Sequence, residues 1–236
     1  MVQSPSVTND RNHVIDDVGR SLNMDRSKRV VIETAEVDWD PSPAAGVLRK
    51  KLEREEAEHG QVTSVVRYAP GSAFASHVHP LGEEILVLKG TFSDENGDYP
   101  AGSYLRNPPG SRHSPHSTDG CDLFVKLDQF DLEDDLAVRL DTARNAWQPG
   151  LVDGLNVMPL HSFGAEHTAL VRWDPGTVFK PHTHPGGEEI LVLEGTFEDE
   201  EGRYGPGTWL RNPPWSRHTP FSREGCTIFV KTGAMK

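Results

Sequence analysis

The 236-residue chain has no apolar run near the roughly 20 residues needed to span a bilayer, so no membrane partner is expected. Met1 to Arg29 carries no apolar stretch of the kind that marks a secretory signal, and a cytoplasmic location is the default expectation. Basic residues are in deficit: 24 Lys and Arg face 36 Asp and Glu, a formal net charge of −12. Phosphate binding wants a basic patch, so nucleic acid is not an expected partner. Cysteine is scarce. Cys121 and Cys226 are the only two, with no CxxC or Cys/His finger spacing, which excludes a disulfide framework and a zinc finger. Each opens an apolar run and reads as a buried thiol.

What is present is a repeat. Thr63 to Lys126 aligns with Thr168 to Lys231 at a constant offset of 105, with more than half of the positions identical. EEILVLKGTF from Glu83 is matched by EEILVLEGTF from Glu188, and YLRNPPGSRH from Tyr104 by WLRNPPWSRH from Trp209. Upstream the offset is 108, pairing Val30, Thr34 and Trp39 with Val138, Thr142 and Trp147; the difference of three falls between Leu48 and Val62 and reads as a change of loop length. The expected organisation is a tail over 1–28, a first domain over 29–132 and a second over 133–236. The tail holds few apolar residues, apart from a short helix candidate within Asn12 to Asn23; weak packing and docking across the partner domain both remain open. Within each repeat, short β-branched and apolar runs alternate with Gly, Pro, Asn and Asp, the pattern of an all-β sandwich or barrel. An Asn-Gly pair in SDENGDYPAG signals a hairpin. Tandem jelly-roll barrels, packed on each other as an intramolecular pseudo-dimer, are the simplest architecture. A further homodimer stays open.

His77 and His79 stand two apart, which on a strand puts both rings on one face. A turn through Pro80-Leu81-Gly82 leads to Glu83, and His113 follows thirty residues later. The second repeat supplies His182, His184, Glu188 and His218. Neutral imidazoles suit Zn, Fe or Ni and a carboxylate adds a charged ligand, so each repeat is expected to hold one divalent metal, with Fe, Zn, Mn and Ni as the candidates. No organic cofactor is implied, and no catalytic group stands out beyond the ligands.

These residues resemble the cupin superfamily. The motif G-x5-HxH-x3-E-x6-G is met at Gly71, His77, His79, Glu83 and Gly90, and again at Gly176, His182, His184, Glu188 and Gly195. The second motif, G-x5-PxG-x2-H, fits Gly102, Pro108, Gly110 and His113; at Gly207, Pro213 and His218 it fits except that Trp215 stands for the glycine, so the turn near the second site is expected to differ. More narrowly, HxHPxGEEILVLxG and RNPPxSRH resemble the ChrR-like cupin family, named for the C-terminal half of zinc-dependent anti-sigma factors, and small non-haem iron dioxygenases acting on β-diketones and hydroxyacetophenones. The resemblance implies a bicupin of double-stranded β-helix barrels. Residues 1–28 offer no Cys and only His13, so the N-terminal zinc site of those anti-sigma factors cannot be built there, and sequestration by that route is not expected.

The resemblance leaves three functional readings. One is an Fe-type dioxygenase acting on a small oxygenated organic molecule. Another is a sensor or regulatory cupin with closed Zn sites; a purely structural barrel is a third. Arg106, Tyr104, Arg211, Trp209 and Trp215 are candidates for a substrate pocket, the arginines because they suit carboxylate recognition. Glu84 and Glu189 should face away from the ligand glutamates and pair with Arg106 or Arg211. Gly110 against Trp215 and Leu81 against Gly186 predict that the two pockets differ in access.

Overall fold

A single strand, Glu83–Asp94, shows how the molecule is layered. Successive side chains on a strand point to opposite faces. Ile85 and Val87 enter a core with Leu105, Leu123 and Val125, inside the first barrel. Leu86 and Leu88 point the other way, into a core shared with Leu191, Trp209 and Phe229 of the second repeat. The second barrel has its own core around Ile190, Val192, Leu210 and Ile228. Alternate residues of one strand thus build a barrel interior and the interface between barrels, and the expected pseudo-dimer packing is what the strands form.

The computed structural model describes residues 21–56 and 59–235. Most of the tail, including most of the helix candidate at Asn12 to Asn23, lies outside the described residues. Among them the chain is a tandem of β-barrels, relieved only by a 3-10 turn at Thr34–Glu36. The main sheet of the first barrel runs in the order Val138–Asp141, Ser103–Asn107, Glu83–Asp94, Cys121–Leu127, Val62–Tyr68, Val47–Arg54, Asp40–Pro41. The corresponding sheet of the second runs Val30–Glu33, Thr208–Asn212, Glu188–Gly195, Cys226–Thr232, Glu166–Trp173, Leu155–Phe163, Gln148–Pro149. The outermost strand of each sheet comes from the other repeat: Val30 pairs with Arg211 and Val138 with Arg106. The three-residue difference between repeats falls in the turn after Arg54, whose partner is Val62, against the tighter turn joining Phe163 and Glu166. The hairpin signalled by Asn-Gly forms one residue early, with Asp94 opposite Gly97 and Asn96 donating its N–H to Asp94 Oδ1 at 2.7 Å.

Gly90 and Gly195 close the first motif because nothing larger fits. Both have positive φ, and a Cβ would lie 2.1 Å from the carbonyl oxygen of Gly120 or Gly225.

The described end of the tail docks across both barrels. Leu22 exchanges backbone hydrogen bonds with Arg54 of the first, and the carbonyls of Asn23 and Asp25 accept from Arg211 of the second. Arg26 meets Glu53 at 2.9 Å.

Candidate metal centres

Each histidine pair is carried by a short strand, His77–His79 or His182–His184, paired antiparallel with the strand that ends in the third histidine. Opposite residues are His113 and His77 in one barrel, His218 and His182 in the other. Period two puts both rings of the HxH on one face and the ladder brings the third beside them. The glutamate opens the neighbouring long strand, on the same face as Ile85 or Ile190, so it enters the barrel.

In the second barrel one ligand atom from each of His182, His184, Glu188 and His218 lies within 4.8 Å of all the others. In the first the three imidazoles cluster in the same way, and Glu83 Oε2 lies 3.4 Å from His79 Nε2 and 3.3 Å from His113 Nε2. The Nε2 atoms of His79 and His113 are 3.0 Å apart, those of His184 and His218 3.1 Å. Ligands about 2.1 Å from one ion are about 3.0 Å apart at right angles and about 3.4 Å apart at tetrahedral angles, so these spacings suit a divalent transition metal. Tautomers point the same way. His77 Nδ1 lies 2.9 Å from the Ala75 carbonyl and His182 Nδ1 2.9 Å from that of Lys180, which places the proton on Nδ1 and leaves the Nε2 lone pair to the cluster.

Burial sets the charge states. It pulls His79 down to about 4, aided by His77, and also lowers His113 and His184, so these rings are neutral and ready to ligate. It pushes Glu83 up, against the pull of His113. At His218 burial also acts downward, but the Asp199 and Glu188 carboxylates outweigh it and raise the group.

Around the ligands stands a shell that sequence reasoning missed. Asn107 Nδ2 donates to Glu83 Oε2 at 2.7 Å and Asn212 Nδ2 to Glu188 Oε2 at 3.0 Å. Asp94 Oδ2 lies 3.5 Å from His113 Nδ1, and Asp199 Oδ2 lies 3.8 Å from His218 Nδ1. The signal was available, since all four recur at the repeat offset on strands that carry or face the ligands.

The pocket candidates are corrected by the structure. Tyr104, Arg106, Trp209 and Arg211 are fully buried between the barrels, not beside the metal cluster. Strand parity explains it: Asn107 shares a face with Leu105, and Tyr104 and Arg106 take the opposite one. Tyr104 donates to Glu84 Oε1 at 2.5 Å and Trp209 Nε1 to Glu189 Oε1 at 2.7 Å. Arg106 pairs with Glu84 at 3.4 Å and with Asp134, and Arg211 pairs with Glu53 at 2.9 Å. The expected Glu84–Arg106 pair therefore forms, while Glu189 meets Lys126 at 2.5 Å instead of Arg211. Trp215 is 73% exposed. The expected change of turn at Trp215 does not occur: Gly110 and Trp215 both hold positive φ, 78° and 66°, and both donate their N–H to the carbonyl of the second HxH histidine, at 2.8 and 2.7 Å.

A cavity of about 600 Å³ lies inside the first barrel, reaching His77, His79 and Glu83. Tyr68, Phe74, Phe92 and Val125 give it an apolar wall, with Arg49, Arg54 and Ser64 as polar groups. The equivalents in the second repeat of Arg49, Arg54 and Ser64 are Val157, Ser162 and Ala169, so the two interiors differ in chemistry. No helix among the described residues is long and apolar enough to cross a membrane.

Comparison with known proteins agrees with this geometry. The profile of the family described as ChrR Cupin-like domain matches residues 27–131 and 135–236. The anti-sigma-E factor ChrR of Cereibacter sphaeroides is 38% identical over 74 residues, which is 30% of this chain and 35% of that protein. The chain thus matches about a third of the length of that relative. A candidate dioxygenase from Nostoc punctiforme superposes with a TM-score of 0.75 at 18% identity, covering 87% of this chain and 82% of the other. The oxalate decarboxylase of Lactobacillus farciminis, as a formate complex, gives 0.65 at 13%, covering 86% of each. At these identities the structural likeness speaks for the fold.

Proposed function

This chain belongs to the ChrR cupin-like family, and on that premise we propose that it is a metal-binding bicupin acting as an Fe-type dioxygenase on a small oxygenated organic molecule. The observation that carries the reading is the placement of His77, His79 and Glu83 on the wall of a largely apolar cavity of about 600 Å³, a volume in the range of small-molecule sites. A purely structural ion would need no such space beside it.

His77, His79, Glu83 and His113 would hold one metal; His182, His184, Glu188 and His218 would hold another. When bound, the metal would supply Lewis acidity and an orienting template, with coordination positions left for the organic molecule. The chain does the rest. Burial favours the neutral form of His79, His113 and His184, Asn107 restrains Glu83, and Phe74, Phe92 and Val125 give the cavity its apolar wall. Differences at Arg49, Arg54 and Ser64 give the first barrel the more polar interior and make it the better candidate for turnover.

A second reading has its own support. Similarity to the anti-sigma-E factor ChrR favours a sensing or regulatory cupin, with closed zinc centres and no turnover. Elemental analysis of untagged protein beside His77→Ala and His182→Ala separates the two. About two equivalents of iron, manganese or nickel, falling to one in each variant, with oxygen uptake on β-diketones or hydroxyacetophenones, is the expected result. Two equivalents of tightly held zinc and no oxygen uptake would overturn the dioxygenase reading and favour closed, sensing or structural sites. No metal after reconstitution would remove both.

A further inference from the structure

Behind each metal cluster stands an arginine belonging to the other repeat. Arg139 lies on Val138–Asp141, the strand the second repeat contributes to the first barrel. Its Nη2 donates to Asn107 Oδ1 at 2.5 Å, and Asn107 Nδ2 donates onward to Glu83 Oε2 at 2.7 Å. Its Nε donates to Tyr99 Oη at 3.2 Å, Tyr99 donates to Asp94 Oδ1 at 3.1 Å, and Asp94 Oδ2 faces His113 Nδ1 at 3.5 Å.

Arg29, beside the strand Val30–Glu33, does the same for the second barrel. Its Nε donates to Asn212 Oδ1 at 2.9 Å, and Asn212 Nδ2 to Glu188 Oε2 at 3.0 Å. Its Nη2 reaches Tyr204 Oη at 2.6 Å and Asp199 Oδ2 at 3.1 Å, the carboxylate 3.8 Å from His218 Nδ1. Each guanidinium therefore stands at the head of two arms, one ending on the glutamate ligand and one on the third histidine.

We propose that Arg139 and Arg29 are positioning residues, each completing the metal centre of the barrel built mainly by the other repeat. The proposal rests on the metal-binding reading above. Its physical core is the polarity of an amide. Guanidinium only donates, so it fixes the asparagine oxygen toward itself and turns the NH2 group onto the carboxylate. Without it the amide is free to turn and set its oxygen against Glu83 or Glu188, pushing the ligand off the cluster. Such outer partners of ligands carry about ten- to hundredfold in metal affinity.

Duplication does not explain the arrangement. Val30 and Val138 are equivalent, since their partners Arg211 and Arg106 are. Arg29 then corresponds to Ala137, and Arg139 to Val31. Two positions that are not copies of one another deliver the same group to the same amide, which is the pattern expected of a requirement at the site.

Cobalt(II) is the probe, titrated into metal-stripped protein in competition with a chelator. His182→Ala leaves the first centre to be read alone, and His77→Ala the second. In the His182→Ala protein, Arg139→Gln should weaken cobalt binding about ten- to hundredfold, while Arg29→Gln changes it by less than about twofold, as for distant independent sites. In the His77→Ala protein the two should exchange roles. Asn107→Ala combined with Arg139→Gln should lose less than the two losses multiplied, because the arginine acts partly through the amide. Should Arg139→Gln not fold, Arg139→Lys keeps the charge without the fork and should show a smaller loss at the first centre alone. Unchanged affinity in the arginine variants, equal weakening of both centres by either one, or fully independent losses for Asn107 and Arg139 overturns the proposal while the metal reading stands. Absence of cobalt binding in the two parent proteins overturns the metal reading itself.

Discussion

At position 215 a tryptophan holds the left-handed backbone that Gly110 holds in the first repeat. The turn survives because the Trp215 N–H still reaches the His184 carbonyl at 2.7 Å, and a side chain that is 73% exposed returns little packing for the strain. An L-residue in this region costs about 1–2 kcal/mol. Trp215→Gly should therefore raise unfolding stability by up to about 1 kcal/mol in urea titration of the metal-free protein, and should leave cobalt binding at the first centre unchanged. The residue scale is also where the sequence was most legible and where it misled. His77, His79, Glu83 and His113 were readable because spacing and a duplicated motif mark them. Closeness to the second motif marks Tyr104, and the carboxylate-binding chemistry of arginine marks Arg106, as pocket candidates, yet strand parity sends both to the opposite face. That parity was present in the alternation with Leu105 and Asn107.

One strand ties the two barrels together. Glu83–Asp94 delivers Glu83 inward and Glu84 outward, where Lys231 meets it at 2.8 Å. Its counterpart Glu189 meets Lys126 at 2.5 Å. These are reciprocal, buried ion pairs across the interface, so removing Lys231 takes from Glu84 its nearest counter-charge and leaves it to Arg106 at 3.4 Å and the Tyr104 hydroxyl. Lys231→Met should cost about 3–5 kcal/mol, and adding Glu84→Gln should recover part of it, both read from urea midpoints. Burial alone would raise the Glu84 carboxyl, but Lys231 and Arg106 outweigh it and hold it at about 2, below its ordinary 4.5. A depressed folded value means that this stabilisation is complete above about pH 4.5 and is lost as pH falls toward 2. The shift corresponds to about 3 kcal/mol. Metal-free protein should lose stability over that window, and Glu84→Gln should flatten that part of the profile; an unaltered acid limb would contradict the assignment.

For the whole molecule the deciding feature is exchange of the first strands. Val30–Glu33 covers the edge of Thr208–Asn212, and Val138–Asp141 covers that of Ser103–Asn107. A fragment of residues 133–236 lacks its outer strand and leaves the apolar faces of Leu191, Trp209 and Phe229 uncovered. Alone it should aggregate or self-associate. Produced together with 1–132, the two fragments should copurify as one particle and regain about two metal equivalents, measured by gel filtration and elemental analysis. Independent folding of either fragment as a monomer with full metal affinity would count against exchange as a structural need.

The all-β class, the two barrels, the family and the candidate ligand residues brought together in each barrel were determined by the sequence itself, because each depends on local periodicity or on a motif written twice. Only the tertiary structure decided which repeat serves which site. The outer strands, the crossed Glu84–Lys231 and Glu189–Lys126 pairs, and the approach of Arg29 and Arg139 to the asparagines join residues from 32 to 183 positions apart. The physical reason is that a strand records its own faces in its alternation, whereas the edge it pairs with depends on how two finished sheets pack, and no spacing along the chain encodes that.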